Sequence, residues 1–247
     1  MSVGRIRRCA FFTGVAAIFA VACGTEGGDG SAVGQLDVGD CWSGPFDLAP
    51  DFFGASPYRE TLQIRLQRGS DFETYSDHLL ILVTDINAIR PAANGTGGKY
   101  NQELEVDLPP EVTPPGVPIT PRKTPLLVNA TLGLQRTCRT RNIPLQAVRE
   151  VELQADGTCA AQVKKCDGTQ TTTPTPVLGK SKMIFTHLPN GKIDEANAEE
   201  RLVDGSFDLY FADPREACYP SPPPCRGHLS GRFNFYFSRG RPQQAFP

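Results

Sequence analysis

From Glu60 onward the chain alternates apolar and polar residues: Leu62, Ile64 and Leu66 fall on one side, Gln63, Arg65 and Gln67 on the other. Successive side chains of a strand project to opposite faces, so this pattern predicts a half-buried strand. Residues 79–83 are apolar throughout and predict a central strand covered on both faces. Alternation returns at Leu104, Val106 and Leu108, and at Leu132 and Leu134 after the apolar run 126–128. Val148, Val151 and Leu153 lead into Asp156-Gly157, after which Ala161 and Val163 resume, which predicts a hairpin on Asp-Gly with a bulge at the 148–151 offset. Residues 182–188 predict another strand, running into the turn pair Asn190-Gly191. The strongest pair comes last, with Phe207, Leu209 and Phe211 on one face and Phe233, Phe235 and Phe237 on another. Burying six such side chains stabilises by about 1.5–3 kcal/mol each, which makes this hairpin the expected nucleus of the core. One short helix is predicted at 194–203, capped by Asp194, with Leu202 and Val203 docking.

About nine strands at these spacings predict an all-β fold, an antiparallel sandwich or barrel-like domain spanning 41–247. The 22 prolines and 24 glycines of the 247 residues argue against long helices. Seven prolines fall within 107–125, a stiff stretch that cannot join a central strand and is read as a crossover loop.

The first residues carry a different pattern. Arg5, Arg7 and Arg8 precede a 13-residue mainly apolar run, 10–22, which ends in Ala20-Val21-Ala22 and Cys23. Basic, then apolar, then small residues form a signal peptide, 1–22, cut after Ala22; a spanning helix needs about 20 apolar residues. Residues 24–40 hold six glycines and four acids, so 23–40 is read as a flexible tether. The AVAC segment resembles the lipobox of Gram-negative bacterial lipoproteins, with Ala20 where that motif usually has Leu, and the body resembles lipoproteins of such bacteria with no ascribed activity. The resemblance implies lipid attachment at Cys23 through palmitate-type chains, and Gly24-Thr25 after the cysteine is compatible with the outer membrane.

Eight cysteines are present. Cys9 leaves with the signal, and lipid on Cys23 leaves an even six: Cys41, Cys138, Cys159, Cys166, Cys218 and Cys225. An even set in an exported chain reads as disulfides rather than zinc thiolates. Equal spacing favours local pairs, Cys159 with Cys166 and Cys218 with Cys225, leaving Cys41 for Cys138.

Removal of 1–22 leaves 22 basic against 27 acidic residues, net −5, which excludes a nucleic-acid partner of the usual basic kind. His78, His187 and His228 are the three histidines; none lies in HExxH, and no GxSxG marks a nucleophile, so no catalytic or metal-binding residue and no cofactor is assigned and the chain is read as a non-enzyme. The 94–99 segment lacks the first glycine and the Ser or Thr of a phosphate loop. Asp194, Glu195, Glu199 and Glu200 read as a solvated acidic face rather than a calcium site, and the sequons at Asn94 and Asn129 as chance. Trp42 is expected in the core, with Tyr58 nearby; Arg226, Arg232, Arg239 and Arg241 are expected to point outward and protect an edge strand. The function these features point to is a membrane-anchored envelope lipoprotein whose β domain is an interaction or structural module. Its partners would be the membrane, through lipid on Cys23, and an envelope protein or glycan. A carbohydrate- or ligand-binding module and a hydrolase without a recognisable motif are the alternatives.

Overall fold

The computed structural model describes residues 28–39, 41–69, 76–90, 103–105, 127–141, 143–159, 177–189, 201–216 and 222–237. They form thirteen strands: β1 (Asp29–Asp37), β2 (Ser43–Asp47), β3 (Phe52–Tyr58), β4 (Thr61–Gln67), β5 (Asp77–Val83), β6 (Leu104–Glu105), β7 (Val128–Leu134), β8 (Leu145–Ala147), β9 (Glu150–Leu153), β10 (Val177–Lys180), β11 (Lys182–His187), β12 (Leu202–Ala212) and β13 (Gly227–Tyr236). Eleven belong to one sheet with the path β2-β1-β13-β12-β8-β7-β5-β4-β3, while β11 pairs with β12 and β6. Every named pairing is antiparallel, and β9 and β10 form a second, two-stranded sheet.

Both ends of the main path carry a proline, Pro45 in β2 and Pro57 in β3. A residue without an N–H is tolerated only where no neighbour needs that donor, so these two strands belong at the edges. They are joined by residues 48–51, so the sheet folds back on itself, and Phe53 of β3 comes within 5.8 Å of Phe235 of β13, centroid to centroid. No ladder joins β2 to β3 among the described residues, so the result is sandwich-like rather than a closed barrel.

The predicted alternation holds where it was clearest. Leu62, Ile64 and Leu66 of β4 are buried, and Phe207, Leu209, Phe211, Phe233, Phe235 and Phe237 all lie in the core, where Phe233 meets Phe185 and Phe207. The all-β antiparallel class is what the sequence predicts. Between β1 and β13 the backbones approach closely, since a Cβ on Gly34 would lie 1.9 Å from the His228 carbonyl oxygen and one on Gly231 2.0 Å from that of Ser31.

Several expectations are corrected. Within the expected tether 23–40, residues 29–37 form β1, hydrogen-bonded on both sides to β2 and β13, while 23–27 and 40 lie outside the described residues; Ala32 and Leu36 supply buried contacts that the glycine content of β1 concealed. Strand β5 is covered on one face only: Leu79, Ile81 and Val83 are buried, but Leu82 is 39% exposed. Leu202 and Val203 open β12 instead of closing a helix, since they pair with Tyr236 and Phe235. Residues 194–200 of the predicted helix lie outside the described residues, and Arg201 is helical. Another helix within the described residues, α1 (Ile86–Ile89), is capped by Asp85, whose carboxylate accepts from the Ala88 N–H. The offset between Val148 and Val151 is no bulge but the point where the chain leaves β8 for the second sheet, and β9 takes β10 as its partner.

The disulfides follow the sheet. Cys41 pairs with Cys138 as expected. The turn presenting Cys138 is held by buried Asp77, which accepts from the Arg136 and Thr137 N–H groups and the Thr137 hydroxyl. Cys159, however, pairs with Cys225, not with Cys166. The Glu152 N–H donates to Pro223 and the Cys225 N–H to Glu152, so backbone bonding sets Cys225 beside β9 just where the turn at Gly157 returns Cys159. Cys166, Cys218, the 107–125 loop and Ala161 and Val163 lie outside the described residues.

Candidate functional site

Because the phenylalanine stripes of β12 and β13 face the core, the residues between them face outward. Register places Asp208 opposite Ser230 and Tyr210 opposite His228. Asp208 Oδ1 accepts from His228 Nε2 at 2.5 Å and from the Ser230 hydroxyl at 2.7 Å. The His228 and Tyr210 rings stack with centroids 4.1 Å apart and planes 7° from parallel. Tyr210 also packs over Gly179 of β10, where a Cβ would come 2.8 Å from its ring. Its own N–H donates to Ser181 Oγ at 2.8 Å. Burial first, and the Asp208 charge second, push the Tyr210 phenol above its ordinary value, so its hydroxyl stays a donor at neutral pH.

This cluster resembles a hydrolytic relay in composition but not in wiring. A Ser-His-Asp relay needs the imidazole between hydroxyl and carboxylate, where it takes the proton of the nucleophile. Here the carboxylate stands in the middle and holds both neighbours. What the arrangement provides is a rigid outward row of hydrogen-bonding groups.

The three histidines are not brought together. His78 lies on β5 over Gly133 with Nδ1 3.2 Å from the Ser76 carbonyl oxygen, and burial holds its pKa below the ordinary value. His187 ends β11, 4.0 Å from Asp204, which also takes the Thr186 hydroxyl. Among the described residues no group of three or more His, Cys, Asp or Glu is placed to hold a metal ion.

At the end of β12 a second polar cluster is buried. Asp213, 2% exposed, meets Arg141 at 2.5 Å and Arg215 at 2.6 Å, and Arg226, 4% exposed, meets Glu216 at 2.6 Å. Burial would raise the Asp213 pKa, but hydrogen bonds and charge from Arg215 and Arg141 outweigh it and hold it at about 2. These pairs tie the loop after β7, through Arg141, and the Cys225 segment, through Arg226, to residues 213–216, a structural task. The arginines therefore depart from expectation: β13 is no edge strand, since β1 covers it, and Arg226 points inward, whereas Arg232 is exposed beside Asp29. Arg239 and Arg241 lie outside the described residues.

Trp42 is also corrected: it stays 40% exposed, edge-on to Phe46, because the turn between β1 and β2 carries it past the rim of the core. Tyr58 is 68% exposed beneath the Arg59 guanidinium. Asn129 sits within β7. Ala22, Cys23, Asn94, Asp194, Glu195, Glu199 and Glu200 lie outside the described residues. The Asp208, Tyr210, His228 and Ser230 row was missed in the sequence, although its signal is there: polar residues interleaved with the stripes in FDLYF and HLSGRF. Among the described residues no helix is long and apolar enough to cross a membrane. Compared with protein-family models, with curated proteins and with solved structures, the chain finds no match.

Proposed function

We propose that this chain is an exported protein, anchored to a bacterial envelope membrane by lipid on Cys23, whose β domain presents a surface for interaction or envelope architecture. The observation that carries the reading is the pair of long-range disulfides, spanning 97 and 66 residues, in a β domain that follows a signal-like segment. Such bonds persist in oxidising compartments and are rare in the cytosol. In chain-entropy terms each closes a loop worth about 4–5 kcal/mol. Several acyl chains on one cysteine hold a bilayer firmly, at about 0.8 kcal/mol per buried CH₂. The outward row around Asp208 and the exposed Trp42 are surfaces that such a domain offers. Intact mass of the protein extracted from host membranes tests the anchor: a chain beginning at Cys23 with added acyl mass supports it, and a free Cys23 thiol or an uncut leader refutes it.

Exposure of Trp42 favours a second reading, a glycan-binding module in which the indole stacks on a sugar ring. As Trp42 is the one tryptophan, its emission reports directly: a saturable change with soluble envelope oligosaccharides, with calorimetric binding that Trp42→Ala abolishes, supports this reading, and an unchanged spectrum counts against it.

A further inference from the structure

We propose that the end of the domain carrying Asp29, Arg201, Arg232 and Tyr236 rests against the headgroups of the anchoring bilayer, with Trp42 and the Cys159–Cys225 sheet pointing away from it. The inference rests on the lipid anchor at Cys23 and adds an orientation to it.

Chain length limits how far the domain can stand from its anchor. Strand β1 starts at Asp29, so six Cα steps separate it from Cys23. Fully extended, six steps reach about 20 Å. A domain of some 200 residues has a radius of gyration of about 16 Å and is therefore about 40 Å across. A leash half the width of the body keeps the start of β1 close to the membrane.

Register then identifies what shares that end. Asp29 lies opposite Asn234, which lies opposite Asp204, and Tyr236 lies opposite Leu202, two positions further along the same direction. Tyr236 is 38% exposed with the Arg201 guanidinium 6.0 Å from its ring centre, and Arg232 is exposed, 3.2 Å from Asp29. Tyrosine and arginine place an apolar stem or ring near lipid while the polar tip meets headgroups, and guanidinium forks match phosphate oxygens. The other end of β1 is different. Asp37 donates its N–H to Arg226, and Val38 donates its N–H to Trp42, so Trp42 and the Cys225 segment lie about 26 Å away along the strand.

The single tryptophan provides the test. Acylated full-length protein is reconstituted in phosphatidylcholine vesicles containing a lipid brominated near the glycerol end of its acyl chains, which quenches nearby indoles. Unaltered protein should keep its Trp42 emission, whereas Trp42→Phe/Tyr236→Trp should lose much of its emission, because the two positions lie at opposite ends of β1. Strong quenching of Trp42 in the unaltered protein, or equal quenching in both, overturns the orientation even if the double variant fails to fold. Intact mass of the same preparation separates the two failures: acyl mass on Cys23 with a quenched Trp42 sinks the orientation alone, and absence of acyl mass sinks the anchor beneath it.

Discussion

Cys159 and Cys225 are bonded across 66 residues because Glu152 accepts the Cys225 N–H and donates its own to Pro223, fixing the cysteine beside β9. Cys225 also packs with Val148, Val151 and Ala212 in a small satellite core. The double substitution Cys159→Ala/Cys225→Ala should therefore loosen the second sheet and lower stability by about 2–5 kcal/mol in urea unfolding. Cys41→Ala/Cys138→Ala should lose a similar amount, because its loop is only modestly longer. Unchanged midpoints in both would remove the disulfides from the account of stability.

Asp213 makes the fold acid-sensitive in a defined window. Its folded-state pKa is held at about 2, below the ordinary 3.8, so its stabilisation is fully present above that ordinary value and is lost as pH falls through about 2. The shift corresponds to about 2 kcal/mol. Stability followed by denaturant midpoint from pH 5 to pH 2 should fall, and Asp213→Asn should flatten that part of the curve while destabilising at neutral pH, since Arg141 and Arg215 lose their shared partner. An unaltered acid limb in the variant would contradict this role.

The close approach of β1 and β13 leaves no room for a side chain at Gly34 or Gly231. Gly231→Val should separate the two strands or distort them, at a cost of about 1–3 kcal/mol from overpacking. Hydrogen exchange should then accelerate in β1 ahead of β4 and β5. Uniform exchange with no loss of midpoint would show that the backbones are further apart than described.

Tyr210 should titrate above an ordinary phenol, because burial and the Asp208 carboxylate both oppose its ionisation. Absorbance titration should show a tyrosinate component above the ordinary phenol value that belongs to this residue, and Asp208→Asn should bring it part of the way back, leaving the contribution of burial. With a raised folded-state pKa, the stability it contributes is present below about 10 and lost as pH rises through the folded value. A Tyr210→Phe variant that keeps the raised tyrosinate component would contradict the assignment.

The sheet class was legible because β4, β7, β12 and β13 each carry a period-two apolar run, as in Leu62-Ile64-Leu66 and Phe233-Phe235-Phe237. Where that pattern breaks down, long-range geometry decides instead. Strand β1 hides among glycines because only Ala32 and Leu36 within it are fully buried, while its glycines let β13 come near. Leu80 and Leu82 extend an apolar run onto a solvent-facing side, so the run alone overstated the cover on β5. The cysteine pairing was set by backbone bonds between Glu152 and 223–225, which no spacing rule contains. The Asp208 row required the register of β12 against β13, known only once the strands are paired.

Export with oxidised cross-links is the central claim, and peptide mapping under non-reducing conditions, on protein alkylated during isolation from its host, addresses it most directly. Among the linked species, the account predicts one joining the Cys41 and Cys138 peptides and one joining those of Cys159 and Cys225. Alkylated free thiols at these four positions would contradict it.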